Sequence, residues 1–102
     1  MSTRYDEQVG ERIAHIRNIL FMSQNKVAAK LGVTRQTLAN YESGKTPMRA
    51  DVVRLICEVY GVTPSWVLGI DDTLELEAEV EGREIELRET SPHIESPNKE
   101  DA

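Results

Sequence analysis

The sequence predicts an all-α body of five short helices, followed by a short acidic β-hairpin or strand extension and a disordered tail. Three observations carry this. From Val9 to Leu68, apolar residues recur at helical spacing, interrupted by hydroxyl residues and glycines suited to helix ends. After Ile70 the spacing changes to strict alternation of apolar and charged residues. The charge changes at the same point. Residues 1–70 hold nine Lys/Arg and six Asp/Glu, or +3, whereas residues 71–102 hold three and twelve, or −9. The expected boundaries are therefore a body over 1–70, an acidic extension over 71–90 and a tail over 91–102.

Within the body, Val9, Ile13, Ile16 and Leu20 fall at spacings of four, three and four, one face of an amphipathic helix over 6–22. Ser23 offers an N-cap hydroxyl for a second helix, 24–31, which turns Val27, Ala28 and Leu31 inward. Gly32 suits the left-handed residue that closes a helix. Thr34 caps a third helix, 35–42, with Leu38 and Tyr41 on one face. Ser43-Gly44-Lys45-Thr46-Pro47 is a loop by composition. A fourth helix, 49–60, buries Val52 or Val53, with Ile56 and Val59, and Gly61 ends it. Thr63-Pro64 reads as a cap with proline at the first helical position, opening a fifth helix over 64–68 that carries Trp66, Val67 and Leu68.

The segments TLELEAEV and REIELRET alternate as strands do, with Glu81-Gly82 as a two-residue turn between them. Pairing across that turn sets Leu76 against Leu87 and Ala78 against Ile85, and on the other face Glu77 against Glu86 and Glu79 against Glu84. Opposed like charges and a bare apolar side make an isolated hairpin marginal in water. It needs a second apolar surface, on the body or on another copy of the chain. Residues 90–102, with two prolines and many polar residues, read as disordered.

Composition excludes several functions. The 102 residues make one small domain, 39% apolar and 29% charged. They contain no apolar run of about 18 residues for a membrane span, and the polar N-terminus lacks the apolar segment of a secretory signal. The single Cys57 cannot form an internal disulfide, which fits a reducing cytoplasm, and it reads as a buried, inert thiol. With two distant histidines, it cannot build a structural zinc site. His15 reads as a surface residue without partners, and Lys26 and Lys30 as a solvated face. No phosphate loop, nucleophile elbow or His/carboxylate cluster suggests catalysis, so neither a cofactor nor a small-molecule ligand is expected.

The informative stretch is QNKVAAKLGVTRQTLANYES, Gln24 to Ser43. Two short helices meet through a tight turn at Gly32, with small Ala28 at the crossing and Val27, Leu31, Val33, Leu38 and Tyr41 filling the corner. On the third helix Arg35, Gln36, Ala39 and Asn40 face solvent, with Thr37 at the edge. Arginine can pair bidentately with guanine, and glutamine or asparagine with adenine, each good pair discriminating by roughly 1–3 kcal/mol.

From about Glu11 to Ile70, the segments SQNKVAAKLGVTRQTLANYESGKTP and VVRLICEVYGVTPSWVLG resemble the phage lambda-repressor-like (Xre/Cro-type) helix-turn-helix family. The resemblance implies that the body is a five-helix DNA-binding domain with the third helix in the major groove. It further implies base contacts from Arg35, Gln36 and Asn40, and phosphate contacts from Gln24, Thr34, Ser43 and Lys45. Arg17 and Glu42 match a partly buried ion pair of that family. The implied partner is double-stranded operator DNA, bound by a homodimer on a palindrome. Trp66 and Leu68, or the strand residues Leu74, Leu76, Ile85 and Leu87, are the candidate dimer contacts. A cytoplasmic repressor, of phage or host genes, is the resulting expectation. An antitoxin that autoregulates its operon and binds a toxin through its acidic tail is the alternative, and a pure protein-interaction module is a further one.

Overall fold

The computed structural model describes residues 4–90. Five helices, α1 (Arg4–Ile19), α2 (Gln24–Leu31), α3 (Arg35–Ser43), α4 (Ala50–Tyr60) and α5 (Pro64–Val67), precede two strands, β1 (Thr73–Val80) and β2 (Arg83–Thr90). The chain is thus mostly helical, but not purely so. The tail expected over 91–102 lies outside the described residues. No described helix is long and apolar enough to cross a membrane.

The caps explain the helix limits. The hydroxyls of Ser23, Thr34 and Thr63 accept hydrogen bonds from the backbone N–H of Lys26, Thr37 and Trp66, and Gly32 closes α2 with φ 73°. The first helix stops at Ile19, three residues before its expected end. The Phe21 N–H donates to the Asn18 carbonyl and the Met22 N–H to the Arg17 carbonyl, while Phe21 takes φ 58°. These are the bonds of a Schellman closure, with phenylalanine in the left-handed position that glycine usually fills. No glycine marks the stop, so the spacing alone ran the helix on to Met22.

All five helices meet in one core. Ile13, Ile16 and Leu20 of α1 join Val27, Ala28 and Leu31 of α2, Leu38 of α3, Val53 and Ile56 of α4, and Trp66 and Val67 around α5. On α4, Val53 is buried and Val52 half-buried. Tyr60, not Val59, is the buried residue of its last turn. Cys57 is half-buried, not enclosed, and borders a surface groove with Met48, Val53, Pro64 and Leu68. Burial, and then the Glu58 charge, push its thiol pKa up.

The strands pair antiparallel, with Leu76 opposite Leu87, Ala78 opposite Ile85, Glu77 opposite Glu86 and Glu79 opposite Glu84. The turn puts both Glu81 (φ 51°) and Gly82 (φ 81°) in the left-handed region, the geometry that matches strand twist in a two-residue hairpin. The second apolar surface that the hairpin needs is the chain's own body. Leu74 and Leu76 are 1% and 2% exposed within the same core, and Ala78, Val80, Ile85 and Leu87 are partly buried against it. Burying two leucines in this way contributes about 1.5–3 kcal/mol each.

Candidate nucleic-acid interface

The exposed end of α3 is set by its contacts with α1 and α2. Gly10 of α1 lies against the C-terminal turn of α3. A Cβ there would sit 2.7 Å from the Glu42 carbonyl carbon, and nearer still to the carbonyl oxygens of Tyr41 and Glu42. Only glycine permits the two backbones to come so close. Arg17, one face along α1, then grips Glu42: its Nε is 2.7 Å from Oε2 and its Nη2 3.1 Å from Oε1. The Arg17 Nη1 also donates to the Met22 carbonyl at 3.0 Å. Both partners are largely buried, with side-chain exposures of 15% and 8%. A bidentate pair in this setting fixes orientation as well as charge.

From Glu42 the network runs outward. Gln24, the first residue of α2, donates from Nε2 to Glu42 Oε1 at 2.9 Å and accepts at Oε1 from Arg35 Nη1 at 3.0 Å. The chain of contacts Arg17–Glu42–Gln24–Arg35 therefore links the inside of α1 to the first side chain of α3. Arg35 and Gln36 are exposed, and Asn40 is half-buried one turn further on. Gln36 Nε2 donates to Asn40 Oδ1 at 3.1 Å, so these two amides form one unit on the helix surface. Thr34 spends its hydroxyl as the helix cap and donates it to Thr37 Oγ1 at 2.9 Å. In the following loop Ser43 Oγ donates to the Asn40 carbonyl and accepts from the Lys45 N–H, which orients the exposed Lys45. Among the described residues, no carboxylate pairs with Arg35 or Lys45.

The expected base-reading and phosphate-contacting residues thus fall on one contiguous region: Arg35, Gln36, Thr37 and Asn40 along α3, flanked by Gln24 and Thr34 at its start and by Ser43 and Lys45 at its end. Lys26 differs from expectation. It forms an ion pair with Glu81 at the hairpin turn and is not simply solvated. Three of the expected dimer contacts, Trp66, Leu74 and Leu76, are buried inside the chain, so a second copy cannot reach them without unfolding the core. Leu68 is exposed, and Ile85 and Leu87 are half-buried.

Sequence reasoning missed a second polar cluster behind α5. Arg12 is 2% exposed. Its guanidinium lies 4.9 Å over the Trp66 ring, donates to the Trp66 carbonyl at 2.9 Å and approaches Asp72 at 3.6 Å. Burial lowers its pKa, against the opposing pull of Asp72. His15 is not a bare surface residue: its Nε2 is 2.5 Å from Glu89 Oε1 of β2, and its ring is 6.5 Å from that of Trp66. Arg12 and His15 thus tie α1 to the base of the hairpin and to β2. The available signal was Arg12 itself, a cation four residues before Ile16 on the inward face of α1. Elsewhere in the core the Tyr60 hydroxyl is buried, and that burial, reinforced by the Glu42 charge, raises its pKa.

Two likenesses place this arrangement. The sequence profile of a family described as helix-turn-helix matches residues 13–67, more than half of the chain. No curated protein matches the chain. Among solved structures, the chain is similar to the crystal structure of the clp gene regulator ClgR from C. glutamicum. The two are 18% identical, the match covers 65% of this chain and 86% of that one, and the TM-score is 0.61. At that identity the likeness is one of fold.

Proposed function

The chain belongs to the lambda-repressor-like (Xre-type) helix-turn-helix family and is a DNA-binding transcription regulator, and on that premise we propose that it is a repressor that reads a palindromic operator as a homodimer. Residues 1–70 form the reading domain, and residues 71–90 are an acidic extension docked on it. The observation that carries this reading is the exposed polar surface of α3, held at a fixed angle by the Gly10 contact and the Arg17–Glu42 pair. Arg35 is the guanine reader, Gln36 and Asn40 are the adenine readers with Thr37 beside them, and Gln24, Thr34, Ser43 and Lys45 hold phosphates. Gln24 has the geometry to bridge: one end of its amide is tied to Glu42, while the other orients Arg35.

One such domain makes few base contacts. A two-fold pair on half-sites about one helical turn apart doubles them. Occupying an operator that overlaps a promoter blocks transcription, and such a protein works in the cytoplasm, where the DNA is. The test is selection of bound genomic fragments with the purified chain, followed by binding of the selected site to Arg35→Ala. The expected result is a palindromic consensus, with roughly 1–3 kcal/mol lost and specificity relaxed at one base per half-site. Failure to enrich any fragment at low salt overturns the reading.

A further inference from the structure

We propose that the free edge of β2 is the homodimer contact, and that it pairs antiparallel with β2 of a second copy about a two-fold axis at Glu86. This rests on the dimeric reading above and specifies its surface. Among the described residues, β2 pairs with β1 alone. The two-residue turn makes Val80–Arg83 a hydrogen-bonded pair, so by alternation the backbone N–H and C=O groups of Glu84, Glu86 and Arg88 point away from β1. That row of unpaired groups is a template for another strand.

The charges choose the strand and the register. The charged residues of β1 are all acidic (Glu75, Glu77 and Glu79), so its own edge would set carboxylate against carboxylate in a second copy. On β2 two arginines interrupt the acids. With the axis at Glu86, Glu84 faces Arg88 of the second copy and Ile85 faces Leu87, each twice by symmetry. Moving the axis to Ile85 sets Glu84 against Glu86, and moving it to Leu87 sets Ile85 against Glu89. Only the Glu86 axis therefore matches charge with charge and apolar with apolar. In that register Arg88, already 2.8 Å from Glu75, sits between two carboxylates. The one unfavourable contact is Glu86 with its own copy. The surface groove beside Leu68 is a weaker candidate, because nothing in its lining selects an occupant.

The test is sedimentation of the full chain across concentration, with charge variants. Arg88→Glu and Glu84→Arg each turn two attractive cross-strand pairs into repulsive ones and should weaken the dimer by about tenfold. The double variant restores opposite charges and should recover most of the loss, which a merely damaged hairpin would not do. Glu86→Gln removes the one repulsion and should tighten the dimer. In a Cys57→Ser background, Glu86→Cys should oxidise to a covalent dimer, because directly opposed residues fall within disulfide reach, whereas Glu79→Cys on β1 should not. A dimer indifferent to all these changes overturns the β2 contact and leaves the dimeric reading standing. A wild-type chain that stays monomeric up to its solubility limit overturns both.

Discussion

Replacing Gly10 with alanine separates steric contact from backbone conformation at the point where α1 holds α3. Ordinary contact begins near 3.4 Å, so a Cβ 2.7 Å from the Glu42 carbonyl carbon, and nearer to two carbonyl oxygens, leaves α1 at least about 0.7 Å too near. The obstacle is helix backbone, not a flexible side chain, so the helices must part. Two terms oppose each other. Alanine favours the helix over glycine by roughly 0.5–1 kcal/mol, whereas forcing an extra methyl into a tight contact costs typically 1–3 kcal/mol. The steric term wins, and the expected net loss is about 1–2 kcal/mol, read by urea denaturation as a lower midpoint with an unchanged slope. Because the parting displaces the Glu42 end of α3, affinity for the selected DNA site should fall beyond what the lost stability explains. Gly32→Ala is the control. Its Cβ meets no atom within 4 Å, but its φ of 73° strains alanine, so its penalty is conformational. A Gly10→Ala chain as stable as wild type would refute the close-contact argument.

Glu42→Gln keeps the shape but strips the charge from a largely buried pair. With Arg17 stranded but still bonded to the Met22 carbonyl, the loss in chemical denaturation should be about 2–3 kcal/mol, and Arg17→Met with Glu42→Leu should recover most of it. Lys45→Ala should weaken DNA binding evenly across sequences and reduce the salt slope by about one, in contrast to Arg35→Ala. The raised pKa of Cys57 predicts less thiolate at a given pH, so its alkylation in the folded chain should be slower than in urea, with a pH–rate midpoint above 9.0. Equal rates folded and unfolded would count against that shift.

What could be read in advance was local. Caps, closing glycines and the hairpin register each depend on residues within a few positions of one another, and Ser23, Thr34, Thr63, Gly32 and the Leu76–Leu87 pairing all stand where spacing put them. The misses involve partners far apart in sequence. The α1 stop at Phe21 needed a phenylalanine in a conformation that its type disfavours, held by bonds that no residue pattern announces. His15 and Arg12 acquired partners 74 and 54 residues away. Gly10 carried a signal, since a glycine inside an amphipathic helix costs stability unless something needs its absent side chain. The polar region of α3 was legible because its residues share one short helix. The network behind it, Arg17 to Glu42 to Gln24 to Arg35, joins three helices, and only its first pair was anticipated, by family resemblance.

The same long-range view changes how the net charge of −6 bears on DNA binding. Averaged over the chain, the charge argues against a polyanion, and even the split at residue 70 leaves the body only weakly positive. The hairpin does not merely follow the body; its turn reaches α2, where Glu81 takes Lys26. Glu58 lies beside Arg54, and Asp51 beside Arg49. Exposed pairs of this kind stabilise little, but each removes a cation from those available to phosphates. The cations on the α3 surface and its following loop, Arg35 and Lys45, have no such carboxylate partner among the described residues. On the proposed reading, the acidic extension, together with the carboxylates of α4, therefore narrows the positive potential to the place where bases are read. Sequence-independent affinity scales with the number of phosphates neutralised, so spending cations elsewhere lowers it, while the base contacts of Arg35, Gln36 and Asn40 are untouched. Discrimination between sites is the ratio of those two quantities, and on that argument an acidic hairpin docked on a DNA reader is a device for selectivity.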